Sequence, residues 1–196
     1  SSGGKFVAVG NTGTIITSTS SNLWGVTFAN SKFVSVGTDG TILNSSDNGT
    51  TWIPRTSGTT NHLRDVIYEN SKFVSVGASG TILSSFDGIS WEDRTDTNVA
   101  SKKLRGITYG SSDDPIFVAV GRTGTILTSS NGYGTSWTER DSGTTKKLNG
   151  ITYGNSTFVT VGNSGTILTS TDGGLSWTSL TPVTTENIYG VTYDNG

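Results

Sequence analysis

Three aspartates stand in one repeated context. Asp47, Asp87 and Asp172 each lie two positions after a serine, and each precedes a tryptophan (Trp52, Trp91 or Trp177) by four or five positions. A fourth copy places Asn131 before Trp137 and so offers an amide instead of a carboxylate. Carboxylates at such a spacing support two kinds of chemistry. They can gather round a hard cation, or each can accept hydrogen bonds from the backbone N–H groups of its own turn. A calcium loop needs several oxygen ligands at alternating positions and a distal glutamate, and the segments here have neither. The turn reading is the one adopted: the short side chain ties the backbone, a glycine supplies a conformation other residues resist, and the indole packs over the hairpin with its N–H bonded. No metal and no cofactor are expected.

A second column varies where its surroundings do not. Trp24, Arg64, Arg105, Asn149 and Tyr189 precede the third residue of five similar segments, Leu23 to Phe28 and its relatives. Positions uniform in every copy belong to core or turn; positions that vary inside a uniform frame face solvent or a ligand. Aromatic rings, guanidinium groups and an amide around one mouth suit a sugar, a carboxylate or a peptide. The competing reading is that these residues only pack and solvate the centre of the fold. The pairs Lys102-Lys103 and Lys146-Lys147 read as a solvated rim. His62 is the one histidine and reads as polar surface, with no second histidine or thiol to complete a metal site or a nucleophilic pair. No Gly-x-Ser-x-Gly elbow is present.

The elements that must carry these residues are repeated too. Lys5-Phe6-Val7-Ala8-Val9-Gly10-Asn11-Thr12-Gly13-Thr14-Ile15-Ile16 recurs from Lys32, Lys72, Ile116 and Thr157. Val9, Val36, Val76, Val120 and Val161 fall 27, 40, 44 and 41 residues apart, a period that signals a solenoid, a propeller or an array. Each full unit holds four strand candidates: the Leu-x-Gly segment, the Phe-Val-x-Val-Gly run, the Thr-Ile-Leu run and a strand opening at tryptophan. Period-two alternation and β-branched residues support all four. The Gly-x-x-Gly between the second and third strands reads as a hairpin turn whose glycines accept positive φ. A phosphate cradle would need a helix to follow, and a strand follows instead. The expectation is an all-β protein: a five-bladed β-propeller of four-stranded antiparallel blades in a single domain. The blade units are about 22–55, 62–95, 103–140 and 147–180, with a composite blade from 187–196 and 5–18.

That composite blade closes the ring if the N- and C-terminal strands pair. It lacks a tryptophan strand, so one blade has no outer strand. Residues 18–22, fully extended, reach at most about 17 Å. The linker runs back as a poor fourth strand, or the first hairpin packs differently, or it swaps into a neighbouring chain. An edge left open in this way could recruit a second copy, so a homo-oligomer through the incomplete blade is one expected partner state.

The turn Ser45-Ser46-Asp47-Asn48-Gly49-Thr50-Thr51-Trp52, with its copy Ser170-Thr171-Asp172-Gly173-Gly174-Leu175-Ser176-Trp177, resembles the Asp-box of bacterial neuraminidase-type repeats. Photosystem II assembly factors and many bacterial surface proteins carry similar repeats. The Asp87 copy is one residue short, and the Asn131 copy one long. The resemblance raises a sialidase-like glycosidase, whose sites use an arginine triad, a Tyr/Glu pair and an acid Asp. Arg55, Arg94 and Arg140 repeat on the outer strand and read as frame residues. No glutamate in the inner strands could activate Tyr189, so the catalytic set does not carry over.

Composition narrows the remaining classes. The chain has 196 residues, 27 glycines, no cysteine and a net charge of −2. It shows no electrostatic footprint for nucleic acid, no disulfide framework and no apolar run of membrane-spanning length. It opens Ser1-Ser2-Gly3-Gly4 without a methionine, which reads as a processed or excised product. The expected function is a non-catalytic binding module of a secreted or cell-surface protein that docks a glycan or a protein on one face. The alternatives are a purely structural repeat or strand-exchanging scaffold, and the sialidase-like hydrolase.

Overall fold

The computed structural model describes residues 22–110, 115–129 and 134–194. The described residues fall into two compact units, one from residues 22–77 with 81–93 and the other from 78–80 with the described residues after 93. In the first unit, β1 (Leu23–Ala29), β2 (Lys32–Gly37), β3 (Ile42–Ser45) and β4 (Ile53–Arg55) form one antiparallel sheet in chain order. A second sheet follows from β5 (Leu63–Glu69), β6 (Lys72–Gly77), β7 (Ile82–Ser85) and β8 (Glu92–Asp93). In the second unit the sheets are β9 (Leu104–Gly110), β10 (Ile116–Gly121), β11 (Ile126–Ser129) and β12 (Trp137–Arg140), then β13 (Leu148–Gly154), β14 (Thr157–Gly162), β15 (Ile167–Ser170) and β16 (Thr178–Ser179). Each sheet is a simple meander, as the repeated pattern requires.

Alternation along the strands places one apolar face of each sheet on its neighbour. In the first unit Val34, Val36 and Ile42 of the first sheet pack with Leu63, Val66, Phe73 and Leu83 of the second. In the second unit Val118, Val120 and Ile126 meet Leu148, Ile151, Phe158 and Leu168 in the same way. The tight turns between first and second strands are Asn30-Ser31, Asn70-Ser71 and Asn155-Ser156, every residue of which is left-handed. Two consecutive left-handed residues define the hairpin turn whose twist matches the flanking strands, and asparagine tolerates that region better than most.

The Gly-x-x-Gly turn works differently from the sequence expectation. Only its second glycine has positive φ, as at Gly40 (+69°) and Gly124 (+69°), and the residue before it is left-handed as well. The first glycine is extended: Gly37 has φ −164° and Gly121 −163°. What demands glycine there is close approach of backbone. A Cβ on Gly77 would lie 2.1 Å from the His62 carbonyl oxygen, and one on Gly121 would lie 2.4 Å from that of Lys103.

Among the described residues there are four sheets, where the sequence reading expects five blades. Residues 5–18 of the composite blade lie outside the described residues. Its other half, the segment 188–193, forms no strand ladder. It does lie against its neighbour: Ile188 N–H donates to the Gly162 carbonyl (3.0 Å), and a Cβ on Gly150 would be 3.2 Å from the Gly190 Cα. No helix among the described residues is long and apolar enough to cross a membrane.

The close approach at the first turn glycine is testable. Gly77→Ala should lower the unfolding free energy by more than about 2 kcal/mol, since the His62 carbonyl has to move. Gly143→Ala, at a left-handed glycine with open space around it, should cost only the backbone penalty of about 1 kcal/mol. Urea unfolding of both variants makes the comparison; equal losses would show that the contact is unimportant.

Candidate functional site

The Asp turns are tied by hydrogen bonds within themselves. Asp47 Oδ1 accepts from the Ser45 hydroxyl (2.8 Å) and the Thr51 backbone N–H (2.9 Å), while Oδ2 accepts from the Thr51 hydroxyl (2.6 Å). Ser45 Oγ in turn accepts from Gly49 N–H, and Trp52 Nε1 donates to the Gly49 carbonyl. Asp172 repeats the arrangement with Ser170, Ser176 and Leu175, and Trp177 Nε1 bonds the Gly174 carbonyl. In the shortened copy Asp87 accepts from Ser85, Ile89 and Ser90, yet Trp91 Nε1 has no partner. The turn shortened by one residue keeps the bonds to Oδ1 and loses the indole's. Trp137 Nε1 bonds the Gly134 carbonyl, and Asn131 lies outside the described residues. Both oxygens of Asp47 and Asp172, and Oδ1 of Asp87, accept from their own turns, and among the described residues no three His, Cys, Asp or Glu groups converge on a metal site.

These bonds set the carboxylate acidities. The Thr51 hydroxyl, then its backbone N–H and the Ser45 hydroxyl, hold Asp47 down at about 2. Partial desolvation pushes Asp172 up, but the Ser176 and Ser170 hydroxyls and the turn N–H groups outweigh it and leave it at about 2. Asp87 is lowered chiefly by the Ser90 and Ile89 N–H groups.

The variable column has a structural cause that the sequence did not disclose. Register shifts fall between Leu23 and Gly25, Leu63 and Asp65, and Leu148 and Gly150, so Trp24, Arg64 and Asn149 are skipped by the ladder. Arg105 is skipped likewise, because Gly106 pairs with Val120 and Leu104 with Gly121. Each is the extra residue of a β-bulge, a device that re-aims a side chain. The following glycine lets neighbouring first strands approach: a Cβ on Gly25 would be 2.9 Å from the Asp65 Cα.

The structure groups these residues within each unit. In the first, the Arg64 guanidinium sits 3.7 Å over the Trp24 ring, and His62 meets that ring edge-on at 5.5 Å. His62 Nδ1 accepts from the Asp39 backbone N–H (3.1 Å), so the lone histidine braces the turn at 38–40. In the second unit, Asn149 Nδ2 donates to Asn163 Oδ1 (3.0 Å) and to the Ile188 carbonyl (2.8 Å). Arg105 lies within electrostatic reach of Arg122 and Tyr189, and burial first, then the Arg122 charge, lower its pKa. Arg122 and Asn163 were missed in the sequence. Both open a Gly-x-x-Gly turn, and the variation at that place (Thr38, Ala78, Arg122, Asn163) was the signal. Two of the three outer arginines bond the frame as expected: Arg55 Nε donates to Asn44 Oδ1 and Arg140 Nε to Thr128 Oγ1. Of the lysine pairs, Lys102 is ion-paired with Glu139.

No family model matches the chain, and no curated protein matches it in sequence. In structure it is similar to YCF48 from Cyanidioschyzon merolae, with a TM-score of 0.66 at 19% identity over 87% of this chain and 59% of that one. A structure of YCF48 bound to D1 peptide matches with a TM-score of 0.63 at 19% identity, over 81% of this chain and 55% of that one. The computationally designed Ika8 protein matches with a TM-score of 0.66 at 16% identity, over 87% and 52%. The chain therefore spans little more than half the length of each. These neighbours are β-propellers, so the meander sheets are blades of a β-propeller. The neuraminidase-type resemblance remains one of turn sequence, with no family shown.

The depressed carboxylates predict a pH dependence. Asp47 and Asp172 have folded-state values near 2 against an ordinary 3.8, so their contribution is present above about pH 4 and lost as pH falls towards 2. The melting temperature of wild type should fall between pH 5 and pH 2, and the fall should shrink in the D47N/D172N double variant, whose amides do not titrate. An identical pH profile in the two proteins would remove the Asp turns as its source.

Proposed function

We propose that this chain is a non-catalytic docking module that holds an extended segment of a partner protein through the bulged residues of its sheets. The observation that supports the reading is the contrast within the repeat. Core and turn positions are nearly invariant, whereas the bulges place a tryptophan, two arginines and an asparagine in the same frame, which provides recognition without reaction chemistry. The structural neighbour YCF48 is solved with D1 peptide bound, so a protein of this fold can hold a peptide. A glycan is the competing ligand, and Trp24 would be its stacking surface. Panning the protein against a peptide display library and a glycan array separates the two. The expected outcome is peptides of micromolar affinity, weakened about tenfold or more by Trp24→Ala or Arg105→Gln. Glycans alone on the array would transfer the site to sugar, and turnover of a fluorogenic sialoside would overturn the non-catalytic reading.

A second reading concerns assembly. The segment 188–193 carries the first-strand pattern and rests on β13, but no strand pairs with it in the described structure. The run Phe6-Val7-Ala8-Val9-Gly10 has the sequence that pairs with this pattern in every other repeat. We propose that it completes a fifth blade there, from the same chain or from a second copy. Thr27 pairs with Val34 and Thr152 with Val159, so the equivalent pair is Thr192 with Val7. A V7C/T192C variant should form a disulfide under mild oxidation. A cross-linked monomer on size-exclusion chromatography identifies ring closure and a cross-linked dimer identifies strand exchange. Absence of any cross-link defeats the proposal.

A further inference from the structure

The first sheet presents an apolar face that the described residues leave open. Val26 on β1 is 56% exposed and Phe28 equally open, while Val66, Ile107 and Ile151, in the place of Val26 on the other sheets, are 2, 2 and 9% exposed. Val26 pairs with Ser35 and Ser35 with Leu43, and Phe28 pairs with Phe33, so these side chains share one side of the sheet. The Phe28 and Phe33 rings, with centroids 4.6 Å apart, make a fixed platform on that side. Grouped apolar side chains left in the open mark a contact surface.

What covers the equivalent face is visible twice. On the second sheet Leu63, Val66, Phe73 and Leu83 lie against Val34, Val36 and Ile42, and on the fourth Leu148, Ile151, Phe158 and Leu168 lie against Val118, Val120 and Ile126. The cover is each time a Val-x-Val strand together with the isoleucine of the strand after it. In the N-terminal segment, outside the described residues, the sequence sets Val7, Val9 and Ile15 in the places of Val34, Val36 and Ile42. One hydrogen bond supplies a second and independent observation. Tyr68, in the place of Phe28, accepts at its hydroxyl from Asn30 Nδ2 (2.9 Å), which belongs to a turn of the covering sheet. Gly3 stands in the place of Asn30, so both partners of that bond are missing together, which leaves no polar group unsatisfied.

We propose that residues 5–16 of the same chain dock on the open face of the first sheet, with Val7, Val9 and Ile15 seated on Val26, Phe28 and Leu43. The tether permits it. Ile16 and Leu23 are seven Cα steps apart, about 24 Å at full extension. A sheet stacked about 10 Å away, with one short strand of about 13 Å to retrace, needs only about 17 Å. A tether of this length also holds the segment at an effective concentration in roughly the millimolar range, which a second copy in dilute solution does not match. The inference goes beyond the edge pairing of Phe6–Gly10 and does not rest on it. A chain in which V7C/T192C fails to cross-link can still bury Val26, and one that cross-links can still leave Val26 open, so the two fail separately.

The chain has no cysteine, so V26C carries a single thiol whose reaction with Ellman's reagent reads the cover directly. In the full chain V26C is expected to react about a hundredfold slower than V183C, at an exposed position. Adding V7D/V9D should bring V26C to within about threefold of V183C. Equal rates for V26C and V183C, or a slow V26C that V7D/V9D leaves slow, would overturn the proposal. V66C, at a buried position, reports whether V7D/V9D keeps the first unit folded. If V66C reacts as well, the unmutated chain decides by nuclear magnetic resonance: methyl contacts from Val9 or Ile15 to Val26 or Phe28 uphold the docking, and their absence overturns it. Contacts found only between differently labelled chains, or protection lost on dilution, would give the face to a second copy and overturn its assignment to the same chain.

Discussion

The architecture depends on backbone lying directly on backbone at the Gly-x-x-Gly turn. The carbonyl that precedes each first strand sits where the Cβ of the turn's first glycine would be, at Asn22 over Gly37, His62 over Gly77, Lys103 over Gly121 and Lys147 over Gly162. That carbonyl is not left unsatisfied: Asn22 accepts from Thr38 N–H, Lys103 from Arg122 N–H and Lys147 from Asn163 N–H. The second glycine receives the incoming loop, with the Thr59 and Thr144 carbonyl oxygens 1.9 and 1.8 Å from where Cβ atoms would stand on Gly40 and Gly124. Each first strand is thereby pinned at its start. A buried polar backbone group demands a partner, and here the partner is reachable only if no side chain intervenes.

Pinning the start of the strand creates the bulge. The strand must meet the end of its partner strand at the turn and still keep the hydrophobic register of Val66 or Ile107 further along, and one residue too many lies between the two constraints. The surplus residue leaves the ladder, so its identity is released from packing. The same geometry that makes the frame rigid makes this one position free, and it places the free position beside the turn residue that bonds the preceding carbonyl. Frame and variable column are thus two consequences of a single contact.

Much of the fold was legible because the repeats align with each other: strand order, the Asp turns and the apolar faces all follow from periodicity. The hairpin turns were hidden in an unremarked Asn-Ser dipeptide, and the role of the first turn glycine was misread because sequence shows that glycine is needed but not whether the need is conformational or steric. The bulge was invisible, since a register shift changes no residue type. The column it produces could still be found by its variation, and the same comparison applied to the turn would have found Arg122 and Asn163. The missing indole bond at Trp91 was foreshadowed by the one-residue deletion in its turn, although the deletion alone did not say which bond would go.

The two units spend this freedom in opposite ways. In the first, the released residues satisfy each other, since a guanidinium over an indole face is a favourable pair and His62 secures the adjoining turn. In the second, Asn149 finds partners for its nitrogen only, and Arg105 finds a neighbour of its own sign. Packing does not explain the difference, because the frame beneath is the same in both. A guanidinium over an indole face is a closed pair, whereas the Arg105 Nε and the Asn149 Oδ1 are each buried without a hydrogen-bond partner. Within one repeated scaffold, then, the bulge fixes where a side chain leaves the ladder, and the residue type placed there decides whether its polar atoms are satisfied.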